Sequence, residues 1–280
     1  MRIAIRHTSQ YQYDQPVPYA LQRLRLHPQS CPGQTVIDWQ VTVDGVEPNV
    51  SYVDGMGNHV DFVRLERNTH EIVIVAAGTV DTEDLAGIFG VVDGFAPPWI
   101  FERETPLTWA GERVKALAAD LRAEGAQLQS LHALMSTIHD RIAYQPGTTE
   151  VSTDAETALL NRQGVCQDHA HVFIAVARAL QVPARYVSGY LLMDGVAKQT
   201  ASHAWAEVYL DGLGWVGFDA ANNTCPDERY VRIATGLDYR DAMPVSGIRT
   251  GQGAETLTVE ISVLQAQGQS QSQSQSQSQS

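Results

Sequence analysis

Three side chains in this chain have the types and settings for nucleophilic acyl chemistry: Cys166, His203 and Asp219. Cys166 lies in Gly164-Val165-Cys166-Gln167-Asp168, directly ahead of a run in which Ala170, Phe173, Ile174, Ala177 and Leu180 share one helical face. Pro183 lies beyond the end of that run. The pattern places the cysteine at a helix N-terminus. Unsatisfied N–H groups and the positive end of the helix dipole favour a thiolate over a thiol there, and the same N–H groups can hold an oxyanion. Gly164 is expected to let a substrate approach the backbone closely. Most unpaired cysteines are small buried hydrophobes, so the reading depends on what surrounds Cys166.

A thiol nucleophile needs a base, and the base needs an orienting group. His203 opens the β-rich run 203–210, Asp219 closes the run 215–219, and Asp211-Gly212-Leu213-Gly214 makes a turn between them. Strands joined this way pair antiparallel. With the turn centred on Asp211, His203 and Asp219 stand directly opposite each other. The sequence leaves this register open, and a one-residue slip would put the two side chains on opposite faces. In the direct register the carboxylate fixes the imidazole tautomer and favours its cation. Taken singly, a strand-end histidine and a turn aspartate are commonplace. The three residues together, in this order, are much less so.

The elements that must position them divide the chain in three. Residues 1 to about 104 read as short strands: 2–13, 21–26, 36–43, a hairpin over 51–65 around Asp54-Gly55-Met56-Gly57-Asn58, and 71–80. Such a series predicts an antiparallel sandwich. Pro97, Pro98 and Pro106 punctuate the chain, and a domain boundary is expected there. From Thr108 the period turns helical, with Trp109, Val114, Leu117, Ala118 and Leu121 on one face. A second helix is expected over 128–144. A short third helix follows Thr153-Asp154-Ala155-Glu156, which has capping-box spacing, and Gly164 is expected to stop it. After the cysteine helix, strands are expected over 184–193, 202–210, 215–219, 230–233 and 257–263. Helices followed by strands predict an α+β core with an antiparallel sheet. Residues 265–280 end in a Gln-Ser repeat with nothing apolar to bury, so a disordered tail is expected.

Gly164-Val165-Cys166-Gln167-Asp168, Pro183-Ala184-Arg185-Tyr186-Val187-Ser188-Gly189-Tyr190, Ser202-His203-Ala204-Trp205-Ala206-Glu207-Val208 and Gly214-Trp215-Val216-Gly217-Phe218-Asp219 together resemble the core of the transglutaminase-like superfamily. The resemblance is closest to the bacterial branch, whose members carry a β-rich region ahead of the core, as residues 1–104 do here. It implies a papain-like core over 105–264, with Cys166 as nucleophile, His203 as base and Asp219 as orienting carboxylate. The bacterial branch is associated mostly with amide and peptide hydrolysis, so the resemblance implies a cysteine amidase or protease. Amine transfer by the same triad is the alternative. A binding module that kept the fold and an arylamine-type acyltransferase are further readings. The filled triad argues against the first of these, and the β-rich N-terminal region against the second.

Composition narrows the partners. With 19 Lys and Arg against 32 Asp and Glu, a formal net charge of −13 gives no footprint for nucleic acid or anionic membranes. The longest strongly apolar stretch, 72–80, falls far short of the ~20 residues of a membrane helix, and no secretory h-region is visible. Three scattered cysteines make no disulfide framework, so a reducing cytoplasm is expected. Asp168, His169 and His171 match no zinc spacing, and no Asp-x-Asp-x-Asp-Gly loop with a distal Glu appears. No metal or cofactor is therefore expected. Asp168 reads as a helix-start residue and His169 as a support for the site. Trp205 and Trp215 read as cleft wall or core, and Cys225 as an inert turn cysteine. Tyr144 or Gln145 is a candidate second oxyanion donor. The expected substrate is a peptide or protein amide. The N-terminal region is expected to wall the cleft or to dock a protein partner.

Overall fold

The structure, a computed structural model, describes residues 1–91, 96–122 and 127–266. The Gln-Ser repeat expected to be disordered lies outside the described residues. The N-terminal stretch forms β1 (Arg2–Val17), β2 (Tyr19–Leu24), β3 (Gln34–Val43), β4 (Val50–Val53), β5 (His59–Leu65), β6 (Thr69–Thr82) and β7 (Ile88–Gly90). Helices α1 (Glu112–Arg122) and α2 (Leu128–Arg141) follow, then β8 (Ala143–Tyr144), α3 (Ala155–Asn161), β9 (Gln163–Gly164) and α4 (Cys166–Ala179). The remainder is β10 (Ala184–Leu191), β11 (Lys198–Gln199), β12 (His203–Leu210), β13 (Gly214–Phe218), β14 (Tyr230–Gly236), α5 (Tyr239–Ala242), β15 (Val245–Thr250) and β16 (Glu255–Gln265). The architecture is α+β, with helices packed on antiparallel sheets.

Two antiparallel sheets make the expected sandwich, in the orders β11-β16-β1-β6-β3 and β15-β2-β5-β4. Strand β1 buries every second side chain along most of its length, the signature of a sheet with one covered face. Tyr11, Tyr13, Leu24, Val41, Val63, Ile72 and Ile74 fill the space between the sheets. A third antiparallel sheet, β14-β10-β12-β13-β7, carries the helices. Strands cross the boundary expected near residue 104 in both directions. From the N-terminal side, β7 completes the third sheet, while β15 and β16 return from the chain's far end to pair with β2 and β1. The sequence reading missed β15, which buries no side chain fully and shows little alternation.

Helix α4 is the axis of the second core. It is buried almost all round, from Asp168 to Arg178, because helices α1 to α3 cover the faces that the sheet leaves open. One apolar cluster joins Val114, Leu117, Leu131, Leu134, Phe173, Ala204, Ala206 and Val208, and extends into Ile3, Ile5 and Val263 of the first sandwich sheet. The two halves thus share a continuous core. They are also stitched by the tip of the β4–β5 hairpin, where Asn58 exchanges two 2.7 Å hydrogen bonds with the backbone of Thr235 on β14.

Some local expectations change. Trp109 precedes α1 instead of lying on its inner face. It is 44% exposed, and its indole N–H donates to Asp154. Asp154 is the N-cap of α3, accepting from the Thr157 N–H at 2.7 Å. Glu156 turns away to accept the Arg113 and Val114 N–H groups, so it caps α1 instead of closing a box on its own helix. The second helix stops at Arg141 and its last expected residues form β8. The third helix ends at Arg162, which adopts the left-handed conformation, not at Gly164.

Candidate active site

Cys166 is the first residue of α4 and is 8% exposed. The helix starts there because Asp168 reaches back: its Oδ2 accepts the Val165 N–H at 2.7 Å and the Thr149 hydroxyl at 2.7 Å. Burial raises the Asp168 carboxyl, against these donors and the nearby His169. Asp168 is therefore a helix-start residue pointing away from the sulfur. Gly164 has a different use from the one expected. A Cβ at this position would lie 2.7 Å from Asp168 Oδ2, so the glycine makes room for the capping carboxylate.

His203 and Asp219 are brought together, but through a different register. Leu210 pairs with Gly214, and Ala206 with Phe218, so the turn is centred on Gly212, not on Asp211. Gly212 and Gly214 both adopt positive φ, and a Cβ on Gly214 would strike the Gly90 backbone at 2.2 Å. The register is offset by two residues from the direct one. Two is the side-chain period of a strand, so both residues keep the same face and meet diagonally. His203 Nε2 lies 2.6 Å from Asp219 Oδ2. The Cys166 thiol is among the groups that bear on the same imidazole, whose Nε2 is taken by Asp219. Burial opposes charge on His203, yet Asp219 and Cys166 outweigh it and raise the ring to about 10. Burial likewise pushes the Asp219 carboxyl up, but the imidazole and its hydrogen-bond donors more than offset this and hold it below the usual carboxylate range.

Two residues that the sequence reading did not single out complete this arrangement. The Tyr230 hydroxyl donates to Asp219 Oδ2 at 2.8 Å, and the Asn222 amide donates to the same oxygen at 2.7 Å. The backbone N–H groups of Ala221 and Asn222 serve Oδ1 at 3.0 and 3.3 Å. Asp219-Ala220-Ala221-Asn222 is a local carboxylate turn, and that signal was available in the sequence. Tyr230 arrives from β14, two strands away from β12 in its sheet, and nothing local announces it.

The other residues singled out fall as follows. His169 is buried, with its ring nitrogens 2.8 Å from the Val165 carbonyl and 3.0 Å from the Ile142 carbonyl, so it supports the backbone below Cys166. His171 is buried elsewhere, its Nε2 accepting from the Tyr239 N–H. These two and Asp168 do not converge. Trp205 is buried and lies beside His203, the ring centres 6.2 Å apart. Trp215 is core, stacked 3.7 Å under the Arg185 guanidinium. Tyr144 pairs with Gly164 through the parallel β8–β9 contact. Its hydroxyl is raised to about 12, first by burial and then by Cys166 and Asp219. The Gln145 N–H donates to the Gly164 carbonyl. Cys225 is pushed up to about 11 by burial, and burial also raises Cys31.

Comparison with known proteins gives the family and the fold. Residues 115–220 match the family model of the transglutaminase-like superfamily, and residues 3–81 that of the bacterial transglutaminase-like N-terminal region. An uncharacterised protein of Mycobacterium leprae (strain TN) is 30% identical over 278 residues, covering 94% of this chain and 98% of the relative. A protein-glutamine gamma-glutamyltransferase of Pseudomonas aeruginosa is 33% identical over 137 residues, covering 45% of this chain and 20% of that protein. Among solved structures, a candidate cysteine protease from Cytophaga hutchinsonii superposes with a TM-score of 0.74 at 25% identity, covering 96% of this chain and 92% of that one.

Proposed function

Since the chain belongs to the transglutaminase-like superfamily, we propose that it is a cysteine-dependent hydrolase of amide, peptide or isopeptide bonds, with Cys166 as nucleophile, His203 as acid and base, and Asp219 as the group that orients His203. The observation that carries this reading is the 2.6 Å contact between His203 and Asp219 beside the Cys166 thiol. A carboxylate there fixes the imidazole tautomer and stabilises its cation, which in turn keeps the sulfur available as thiolate.

The steps follow from these roles. Cys166 Sγ attacks the carbonyl carbon of an amide. The oxygen takes the negative charge and is met by the Cys166 N–H, which has no partner within α4 because it opens the helix. His203 gives its proton to the departing amine as the C–N bond breaks, leaving a thioester. Neutral His203 then takes a proton from water, whose oxygen attacks the thioester carbon. Collapse releases the acid and returns the thiolate–imidazolium pair. Tyr144, adjoining Gly164, is the better placed of the two candidates for a second oxyanion donor, since Cys166 is among the groups that bear on its hydroxyl.

Amine in place of water would give transamidation, and the name of the Pseudomonas relative keeps that reading open for this chain. Three free cysteines suit a reducing compartment, and we place the protein in the cytoplasm. No described helix is long and apolar enough to cross a membrane. The test is incubation with glutamine-containing peptides, with and without a primary amine, read by mass spectrometry. Hydrolysis converts amide to acid or cuts the chain whether or not amine is present; transfer adds the mass of the amine. A Cys166→Ala protein as active as the parent would falsify the proposal.

A further inference from the structure

A second cluster of chemistry-bearing side chains lies in the sandwich, remote in sequence from Cys166. His59 and Asp61 alternate on β5 and so face the same way. On the neighbouring strand Leu24, the last residue of β2, pairs with Asp61, and the irregular chain that leaves β2 carries His27 to the same carboxylate. The outcome is a convergence of three donors on one point. His27 Nε2 lies 2.9 Å from Asp61 Oδ2, and His59 Nε2 lies 3.0 Å from Asp61 Oδ1. The two imidazole centres are 4.2 Å apart. All three ligand atoms fall within 4.8 Å of one another.

We propose that His27, His59 and Asp61 form a binding site for a divalent transition-metal ion such as Zn2+. Three features carry this. The donor set, two imidazole nitrogens and one carboxylate, is the type that holds zinc with a position left for water. In a tetrahedral zinc site with bonds of about 2.0–2.1 Å, donors stand roughly 3.3 Å apart. The two nitrogen–oxygen distances, one to each oxygen of the Asp61 carboxylate, are within a few tenths of an ångström of that. Finally, Asp61 is 3% exposed, and its Oδ2 makes no hydrogen bond of proper geometry despite the nearness of His27. A buried carboxylate oxygen that faces an imidazole at 2.9 Å without hydrogen-bond geometry is poorly compensated, and a cation between the rings would serve it better. The histidine side chains are 23% and 30% exposed, which gives an ion a way in. Arg25, two residues before His27, pairs with Asp54 at 3.1 Å.

The site is one residue from the interdomain stitch, because Asn58, which pairs with Thr235, precedes His59. An ion there clips β5 to the chain leaving β2 and fixes the hairpin that docks on the catalytic half.

The experiment uses the full chain carrying Cys166→Ala, so that the active-site thiol offers no competing ligand, after treatment with a chelator. Zn2+ is titrated by calorimetry and Co2+ by visible absorption. One equivalent is expected to bind, with a cobalt d–d band, and His59→Ala is expected to weaken binding by more than about tenfold. Independently of any histidine variant, Zn2+ should slow diethylpyrocarbonate modification of His27 and His59 while leaving the exposed His132 unchanged. Failure of Zn2+ to protect these two histidines, or equal zinc binding by the His59→Ala protein, would overturn the proposal and leave a hydrogen-bonded histidine–aspartate–histidine cluster. Should His59→Ala fail to fold, the protection measurement decides.

Discussion

His203 and Asp219 meet at 2.6 Å although the β12–β13 register sets them two positions out of direct opposition. The diagonal arrangement leaves the carboxylate room for further donors, and Asn222 and Tyr230 take up that room. The result is a buried charge pair in which the imidazole is held near 10. Asp219→Asn keeps the shape and removes the charge. It is expected to lower kcat by roughly 10³- to 10⁴-fold, as when a triad aspartate is made neutral. Without the carboxylate, the His203 pKa falls, so the alkaline limb of the kcat/KM profile should move to lower pH. A pH profile with an unmoved alkaline limb would show that Asp219 does not govern the imidazole.

Tyr230 tests how far this support extends. Its hydroxyl touches Asp219 and not the thiol, so it acts as a positioning residue. Tyr230→Phe removes one of the donors that lower the Asp219 carboxyl. The expected loss in kcat is about tenfold, on the order of 1 kcal/mol for one hydrogen bond. The acid limb of the pH profile should rise, because a carboxylate with fewer donors protonates at higher pH. A loss confined to KM, with both limbs in place, would assign Tyr230 to substrate contact instead.

Cysteine reactivity gives a direct check on the thiolate–imidazolium pair. Cys31 and Cys225 are both raised by burial and lack a histidine partner of this kind. Iodoacetamide at pH 6, followed by peptide mass spectrometry, should therefore alkylate Cys166 at least about tenfold faster than either of them. His203→Ala should abolish that advantage. Equal rates in the parent and in His203→Ala would mean that the imidazole does not act on the sulfur.

The parts of this arrangement that are set locally could be read from the sequence. The helix following Cys166, the strands on either side of Asp211-Gly212-Leu213-Gly214 and the alternation in β1 each follow from spacing within one segment. What could not be read depends on distance along the chain or on conformation at single glycines. The turn centre moved from Asp211 to Gly212 because positive φ at Gly212 and Gly214 fixes a three-residue loop, and side-chain pattern does not encode that choice. Period-two geometry made the error harmless for the face His203 occupies. Glu156 sits at capping-box spacing for its own helix yet caps another, since Gly111 opens a space that its carboxylate fills. Tyr230 reaches Asp219 only through the order of the third sheet, and the return of β16 onto β1 is likewise invisible from either segment alone.

Acid should weaken the fold through two buried histidines other than His203. His7 and His171 are buried, and burial lowers each to about 4. His7 is held between the Tyr190 and Ser9 hydroxyls, and His171 Nε2 accepts the Tyr239 N–H. Both are neutral in the fold, while the unfolded chain takes up a proton at each near pH 6.5. Stability from these groups is therefore present above pH 6.5 and is lost as pH falls from there towards 4. The loss amounts to something on the order of 3 kcal/mol per histidine. Urea unfolding at pH 7, 6 and 5 should show this slope, and His7→Gln should reduce it by about one proton. An unchanged slope in that variant would place the acid sensitivity elsewhere.

Two residues before Cys166 the backbone carries no side chain. Gly164 is packed against the Asp168 carboxylate that accepts the Val165 N–H and starts α4. An added methyl would lie 2.7 Å from both the Cβ and the Oδ2 of Asp168, so either that carboxylate or the backbone beside Cys166 must move. Overpacking of this kind costs about 1–3 kcal/mol. Gly164→Ala should therefore lower Tm by several degrees. Displacement of the first turn of α4 by a fraction of an ångström should also lower kcat by roughly 10- to 100-fold, because reacting groups tolerate little misplacement. The two effects can be separated by measuring kcat well below Tm, where the variant is fully folded. There a stability defect alone would leave activity at the parental level, whereas a shifted helix start would still depress it. Parental kcat and parental Tm together would mean that Asp168 can move aside freely and that the position of Cys166 does not depend on it.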